Sequence, residues 1–109
     1  MTDTASRVYG PAAPTNSSAT LYTVPSATTA IIKHIHACNS TAADVTLSLG
    51  INGTAATGAN CFLSALTIPA HGEYDSGPIF IPLIATDTIT GLSGTSGANT
   101  VIISGVLIT

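Results

Sequence analysis

From Ala19 onward, apolar and polar residues alternate with a period of two rather than 3.6, the signature of strands whose two faces meet different surroundings. Residues 21–24 form a short first run, stopped by Pro25-Ser26. The β-branched run 28–38 sets Ile31, Lys33, Ile35 and Ala37 against Ile32, His34, His36 and Cys38, and Asn39-Ser40-Thr41 turns the chain. Residues 44–51 alternate cleanly, with Val45, Leu47, Leu49 and Ile51 inward and Asp44, Thr46 and Ser48 outward. Asn52-Gly53 is a hairpin signal, and the Thr-Ala-Ala-Thr-Gly behind it predicts a longer loop. Further runs follow at 61–68, ended by Pro69-Ala70-His71-Gly72, then at Tyr74 and 79–83, and at 86–92. A Gly/Ser loop over 91–99 precedes a closing strand over 100–108. About seven or eight short strands, with turn signals every 8–12 residues or so, predict an all-β fold: a single antiparallel β-sandwich or jelly-roll-like domain over 19–109. Residues 1–18 read as an extended N-terminal arm. Pro11 and Pro14 stiffen it, and Asn16-Ser17-Ser18 offers no face to bury.

Composition sharpens this picture. Of 109 residues only 6% are charged, with Arg7 and Lys33 against Asp3, Asp44, Glu73, Asp75 and Asp87, where ordinary globular chains carry roughly 25%. Hydrophobic residues make up 45%, mean hydropathy is +0.50 and the formal net charge is −3. Two basic side chains cannot track a phosphate backbone, so nucleic acid is excluded as a partner, and an anionic membrane surface fails on the same ground. No apolar run is long enough to span a bilayer. The N-terminus lacks the apolar core of a secretory signal, which predicts synthesis in a cytoplasm. There Cys38 and Cys61, both in apolar runs, are expected as buried free thiols, with a bridge between paired strands as the alternative. The sequons starting at Asn16, Asn39 and Asn52 then read as turn residues rather than glycan sites.

Candidate chemistry is sparse. His34, His36 and Cys38 share a strand face and could supply three zinc ligands, but nothing nearby in sequence offers a fourth. The expectation is a polar, exposed or interfacial face without metal. Where copies meet near a symmetry axis, such histidines would respond to pH around their ordinary value of about 6.5. His71, Glu73, Asp75 and Ser76 invite a triad or paired-carboxylate reading. They crowd one Pro/Gly-flanked turn, and no G-x-S-x-G elbow surrounds Ser76, so a solvated turn is expected. Gly91-x-x-Gly94-x-x-Gly97 lacks the Lys-Ser/Thr of a phosphate loop. With no Trp, and with Tyr22 and Tyr74 reading as core-edge residues, a sugar-stacking platform is poorly supplied. Neither enzyme nor cofactor emerges.

Several segments carry a resemblance. Arg7-Val8-Tyr9-Gly10-Pro11, the run Leu21-Tyr22-Thr23-Val24-Pro25 with Thr28-Thr29-Ala30-Ile31-Ile32-Lys33 and Cys38-Asn39-Ser40, Ile68-Pro69-Ala70-His71-Gly72, Asp87-Thr88-Ile89 and Val101-Ile102-Ile103-Ser104-Gly105-Val106 are similar to segments of small virion proteins of tailed bacteriophages, especially phages infecting actinobacteria. The resemblance implies a small β-sandwich structural protein of the virion, either a head decoration protein or a minor tail component. It implies a homo-oligomer, with a trimer favoured, bound to the major capsid protein or another virion protein. A displayed module with weak affinity for host glycans is the competing reading. Arg7, Val8, Tyr9, Pro11 and Pro14 of the arm, with His34 and His36, are the candidate partner contacts.

Overall fold

The structure is a computed structural model describing residues 3–52 and 60–109. The predicted loop from Gly53 lies outside the described residues. Among the described residues nine strands follow one another: β1 (Asp3–Ala12), β2 (Ala19–Thr23), β3 (Thr29–Asn39), β4 (Val45–Ile51), β5 (Cys61–Ile68), β6 (Glu73–Asp75), β7 (Ile81–Leu83), β8 (Thr88–Ser93) and β9 (Asn99–Ile108). They form two antiparallel sheets. Sheet A runs β1-β9-β3-β6, with β7 pairing the other half of β3, and sheet B runs β2-β8-β4-β5. This is the β-sandwich that the period-two pattern predicts. Between the sheets sit Ile32, Leu47, Leu49, Ile68, Leu83, Ile89, Val101 and Ile103, each essentially inaccessible to water. At about 25 cal/mol per Å² of apolar surface removed from water, such side chains are the main favourable term in folding.

The sequence reading departs from the structure in three places. First, residues 3–12 are extended but not a free arm: they pair with β9 from Asp3↔Ile108 to Ala12↔Val101. Val8 belongs to the core, and Tyr9 packs against it. Pro11, Pro14 and the polar Asn16-Ser17-Ser18 point to an arm, but the residues that anchor the segment lie before them. Two adjacent inward residues at an irregular point in the pairing, between Arg7 and Tyr9, suffice to anchor it. Residues 14–15 are tied down as well, because the Pro14 carbonyl accepts from Gly97 N–H and the Thr15 carbonyl from Ser93 N–H. Gly10 (φ 81°) makes this close approach possible, since a Cβ there would overlap the Val101 carbonyl oxygen.

Second, the alternation on β3 changes phase. Ala30 and Ile32 are buried before Lys33, and Ile35, Ala37 and Asn39 after it. The register with β9 slips between Ile32 and His34, so Lys33 is the extra residue of a β-bulge. Lys33 and His34 consequently both face outward. The bulge also breaks the strand beyond it into β6 and β7: Ile79 N–H reaches the Lys33 carbonyl and Ser76 N–H the Ile35 carbonyl across the gap.

Third, Cys38 is exposed and Cys61 half-buried, both free thiols. Asn39, one residue on from Cys38, holds the buried position. Its amide Nδ2 donates to the carbonyls of Ala43 (2.8 Å), Ile68 (3.0 Å) and Pro69 (3.2 Å), and its Oδ1 accepts from Thr41. The sequon at Asn39 is therefore an internal turn staple with no exposed amide. Asn99, paired with Asn39 across β3 and β9, likewise reaches sheet B through the Thr46 carbonyl and Ser93 Oγ.

Candidate functional site

Sheet A carries five of the seven charged residues, Asp3, Arg7, Lys33, Glu73 and Asp75. On β3, Lys33 and His34 point outward at the bulge and His36 follows; on β6, Glu73 and Asp75 flank the inward-leaning Tyr74 and pair opposite Cys38 and His36. His34 Nε2 lies 2.6 Å from Asp75 Oδ1. His36 faces both carboxylates, with Nε2 3.6 Å from Glu73 Oε2 and Nδ1 3.9 Å from Asp75 Oδ2. The two imidazoles stack, their centroids 6.4 Å apart. Asp75 Oδ1 also accepts the Gly77 N–H at 2.8 Å. That bond first, and the bond from His34 second, hold the Asp75 carboxyl below its ordinary value. Both carboxylates stay more than half exposed, so each pair is a weak contact in high dielectric.

Beside this cluster, Arg7 on β1 and Lys33 on β3 stand on either side of a shallow groove. Ser104 and Gly105 of β9 form its floor, and Ala5 and Val106 its apolar end. Gly105 permits the close backbone approach of β9 to β3 beside the bulge, because a Cβ there would overlap the Ile31 carbonyl oxygen. Arg7 is the only arginine and Lys33 the only lysine of the sequence, and both line one groove. Lys33 Nζ also sits 5.1 Å from the centre of the exposed Phe80 ring.

Sheet B contrasts with this. None of its strand residues, on β2, β8, β4 or β5, is charged. Its outer side carries hydroxyls, among them Thr20, Thr23 and Thr67 exposed and Thr46 and Thr88 half-buried, with Leu92 beside the buried Ser48. The remaining two carboxylates hold turns: Asp44 Oδ1 accepts from Ala70 N–H, and Asp87 Oδ2 from Ile84 N–H.

Among the residues expected to contact partners, Arg7 and Pro11 are exposed, and His34 and His36 are half-buried on the outer face. Val8 and Pro14 are buried in the protein's own fold, a correction to their assignment as contacts. Tyr9 is half-buried against the core, and burial raises its phenol above the ordinary value. His71 sits exposed on a turn at φ 55°. Ser76 Oγ is occupied by the backbone, accepting from Ile35 N–H and donating to the Gly77 carbonyl. Among the described residues no three His, Cys, Asp or Glu side chains are arranged to hold a metal ion, and no helix is long and apolar enough to cross a membrane. Lys33, Glu73, Asp75 and Ser104 were missed as members of a common surface. The bulge hides Lys33 in the wrong phase, and Arg7 and Ser104 meet it only through strand pairing.

No protein-family model matches the chain, and no curated protein matches it. Among solved structures, a chain in the structure of infectious bursal disease virus Gt strain is similar with 12% identity and a TM-score of 0.44, over 97% of this chain and 28% of that one. A chain in the structure of the Gx strain of that virus is similar with 12% identity and a TM-score of 0.43, over 96% of this chain and 29% of that one. This chain thus spans less than a third of the length of either.

Proposed function

We propose that the protein is a non-enzymatic structural component of a virus particle, a decoration protein that cements the head shell of a tailed bacteriophage. The observation that carries this reading is the outer side of sheet B, four strands without one charged residue. Hydroxyls and short apolar side chains can be covered by another protein at a far smaller desolvation cost than ions. The resemblance of residues 7–11, 21–25, 28–33, 38–40, 68–72, 87–89 and 101–106 to phage virion proteins supplies the particle. In this reading the chain is made in the host cytoplasm and ends in the virion, against the major capsid protein or another virion protein, and uses no cofactor.

Imaging particles with and without the protein, with copies counted per particle, tests the proposal. Hundreds of copies on the head surface, restored by adding purified protein to depleted particles, are expected. A handful of copies at a tail tip or collar would make the protein a minor tail component instead. The contact is apolar and hydroxyl-mediated, so moderate salt should not release it. Retention on a glycan array would favour a displayed binding module.

A further inference from the structure

We propose that the groove between Arg7 and Lys33 on the outer face of sheet A binds an extended acidic segment of another protein, with a carboxylate held at the cations and an apolar side chain seated at the Val106 end. The groove lies on the other sheet from the face that carries the virion reading, and its occupant can be tested without a particle.

Strand pairing builds the charged end. Arg7 on β1 lies level with Ser104 on β9, which lies level with His34 on β3, and the bulge sets Lys33 beside that row. Arg7 and Lys33 are both exposed. The ion pairs among the described residues all join histidines to carboxylates, so the fold neutralises neither cation. Asp75, beyond His34 on the β6 side, is taken up by His34 and the Gly77 N–H. Arg7 is the anchor, because its guanidinium is a planar fork that grips a carboxylate through two parallel bonds. Lys33 lines the groove while its ammonium rests 5.1 Å from the centre of the Phe80 ring. A cation–π contact at an exposed ring is weak and a lysine stem is flexible, so the ammonium can swing to a carboxylate beside Arg7.

The rest of the groove selects what carries that carboxylate. Its volume is about 490 Å³, against ~30 Å³ for a water molecule, so a bare small anion would leave most of it to solvent. Beyond Ser104 the lining turns apolar. Ala5 lies level with Val106, and that level continues through Ile31 to Pro82. Ser104 and Val106 are two residues apart on β9, a step of about 6.7 Å, and alternate side chains of any extended segment share that step. A segment lying along β9 therefore sets a carboxylate at the Arg7 row and the side chain two residues on at the Val106 row. A polyanion is a poor occupant, since two cations in a chain of net charge −3 cannot hold one.

Amide resonances of the full chain, followed during titration with a blocked pentapeptide, test the proposal. The probe carries glutamate at its second position, valine at its fourth and serine elsewhere. It should shift the Arg7, Ser104, Gly105 and Val106 amides, with a dissociation constant on the order of 1 mM. Replacing its glutamate with lysine should abolish the shifts, and placing glutamate and valine side by side should weaken binding severalfold. Arg7→Gln/Lys33→Gln should weaken it about tenfold. Unchanged resonances elsewhere would show that variant to be folded, and Arg7→Lys serves if it is not, with a smaller loss expected because the fork is gone. Binding should also weaken severalfold as salt rises from about 10 mM to about 150 mM, where the screening length falls from ~30 Å to ~8 Å. The uncharged contact proposed for sheet B lacks that salt dependence. A probe that moves none of these amides, a lysine probe that binds as well, a folded Arg7→Gln/Lys33→Gln variant with unchanged affinity, or acetate that binds as tightly as the probe would each overturn the proposal.

Discussion

Sheet A and sheet B are built from the same alternation, yet their outer faces differ in kind. The strands of sheet A carry Asp3, Arg7, Lys33, Glu73 and Asp75 together with His34 and His36, and those of sheet B carry no charged residue. The other two carboxylates, Asp44 and Asp87, are consumed by turns. A scarce resource has been placed unevenly. Charge concentrated on one face leaves the other free to be covered without stripping water from ions, while the charged face acquires direction and can discriminate among orientations of a partner. Low charge in this protein is therefore a property of one face rather than of the whole surface.

The comparison presumes that both sheets are complete, and the largest expected effect tests that. Removing residues 3–12 strips β9 of its outer neighbour and takes Val8 from the core. A loss of about 3 kcal/mol or more is expected from lost burial and pairing, read as a lower denaturation midpoint. A truncated chain as stable as the whole would return the segment to the status of an arm. Next, Asn39→Ala leaves buried carbonyls of the β5 end and its turn without their donor. A loss of about 2–3 kcal/mol is expected in chemical denaturation, with both outer faces unaltered.

A third prediction separates the faces. Thr67 is exposed on β5, so Thr67→Glu should change stability by less than about 0.5 kcal/mol. It should nevertheless lower occupancy on particles, as counted by imaging. Arg7→Gln/Lys33→Gln should leave that occupancy intact. The reverse pattern would exchange the roles of the two faces.

The smallest effect concerns Asp75. Its folded value lies below the ordinary 3.8. Its ionised form therefore stabilises the fold above that value, and the contribution is lost as pH falls through the lowered one. Asp75→Asn should cost little at neutral pH, and its stability should fall less steeply than wild type in the most acid range. Thermal midpoints followed down from neutral pH would show whether the two acid limbs differ.

Much of sheet B could be read directly from the sequence. Val45, Leu47 and Leu49 alternate without interruption, and the structure buries all three. Sheet A was legible only in part, because its strands depart from strict alternation where they matter most. One extra residue at Lys33 reverses the phase of β3, and two adjacent inward residues, Val8 and Tyr9, disguise β1 as an arm. Bulges are set by long-range pairing, which a local period cannot report. The site suffered accordingly. His34 and His36 could be placed on one face by spacing alone, but their carboxylate partners on β6 and the Arg7–Lys33 groove arise from strand order. Asn39 looked like an ordinary turn residue because its acceptors, the Ile68 and Pro69 carbonyls, lie far away in sequence.

The breaks in the strands have one more consequence, for aggregation. A sheet edge with a long regular row of free amides and carbonyls invites edge-to-edge growth into fibrils, and charged side chains, lysine above all, are one common deterrent. This chain has one lysine, and it is not at an edge. Instead every edge is irregular. β1 slips twice against β9 and carries Pro11, β2 slips within five residues, β5 bulges beside Ala65, and β6 and β7 are two short pieces with Pro82 in the second. Geometry performs the protective task usually given to charge, so neighbours can stack on its faces while ribbon-like growth through its edges is blocked.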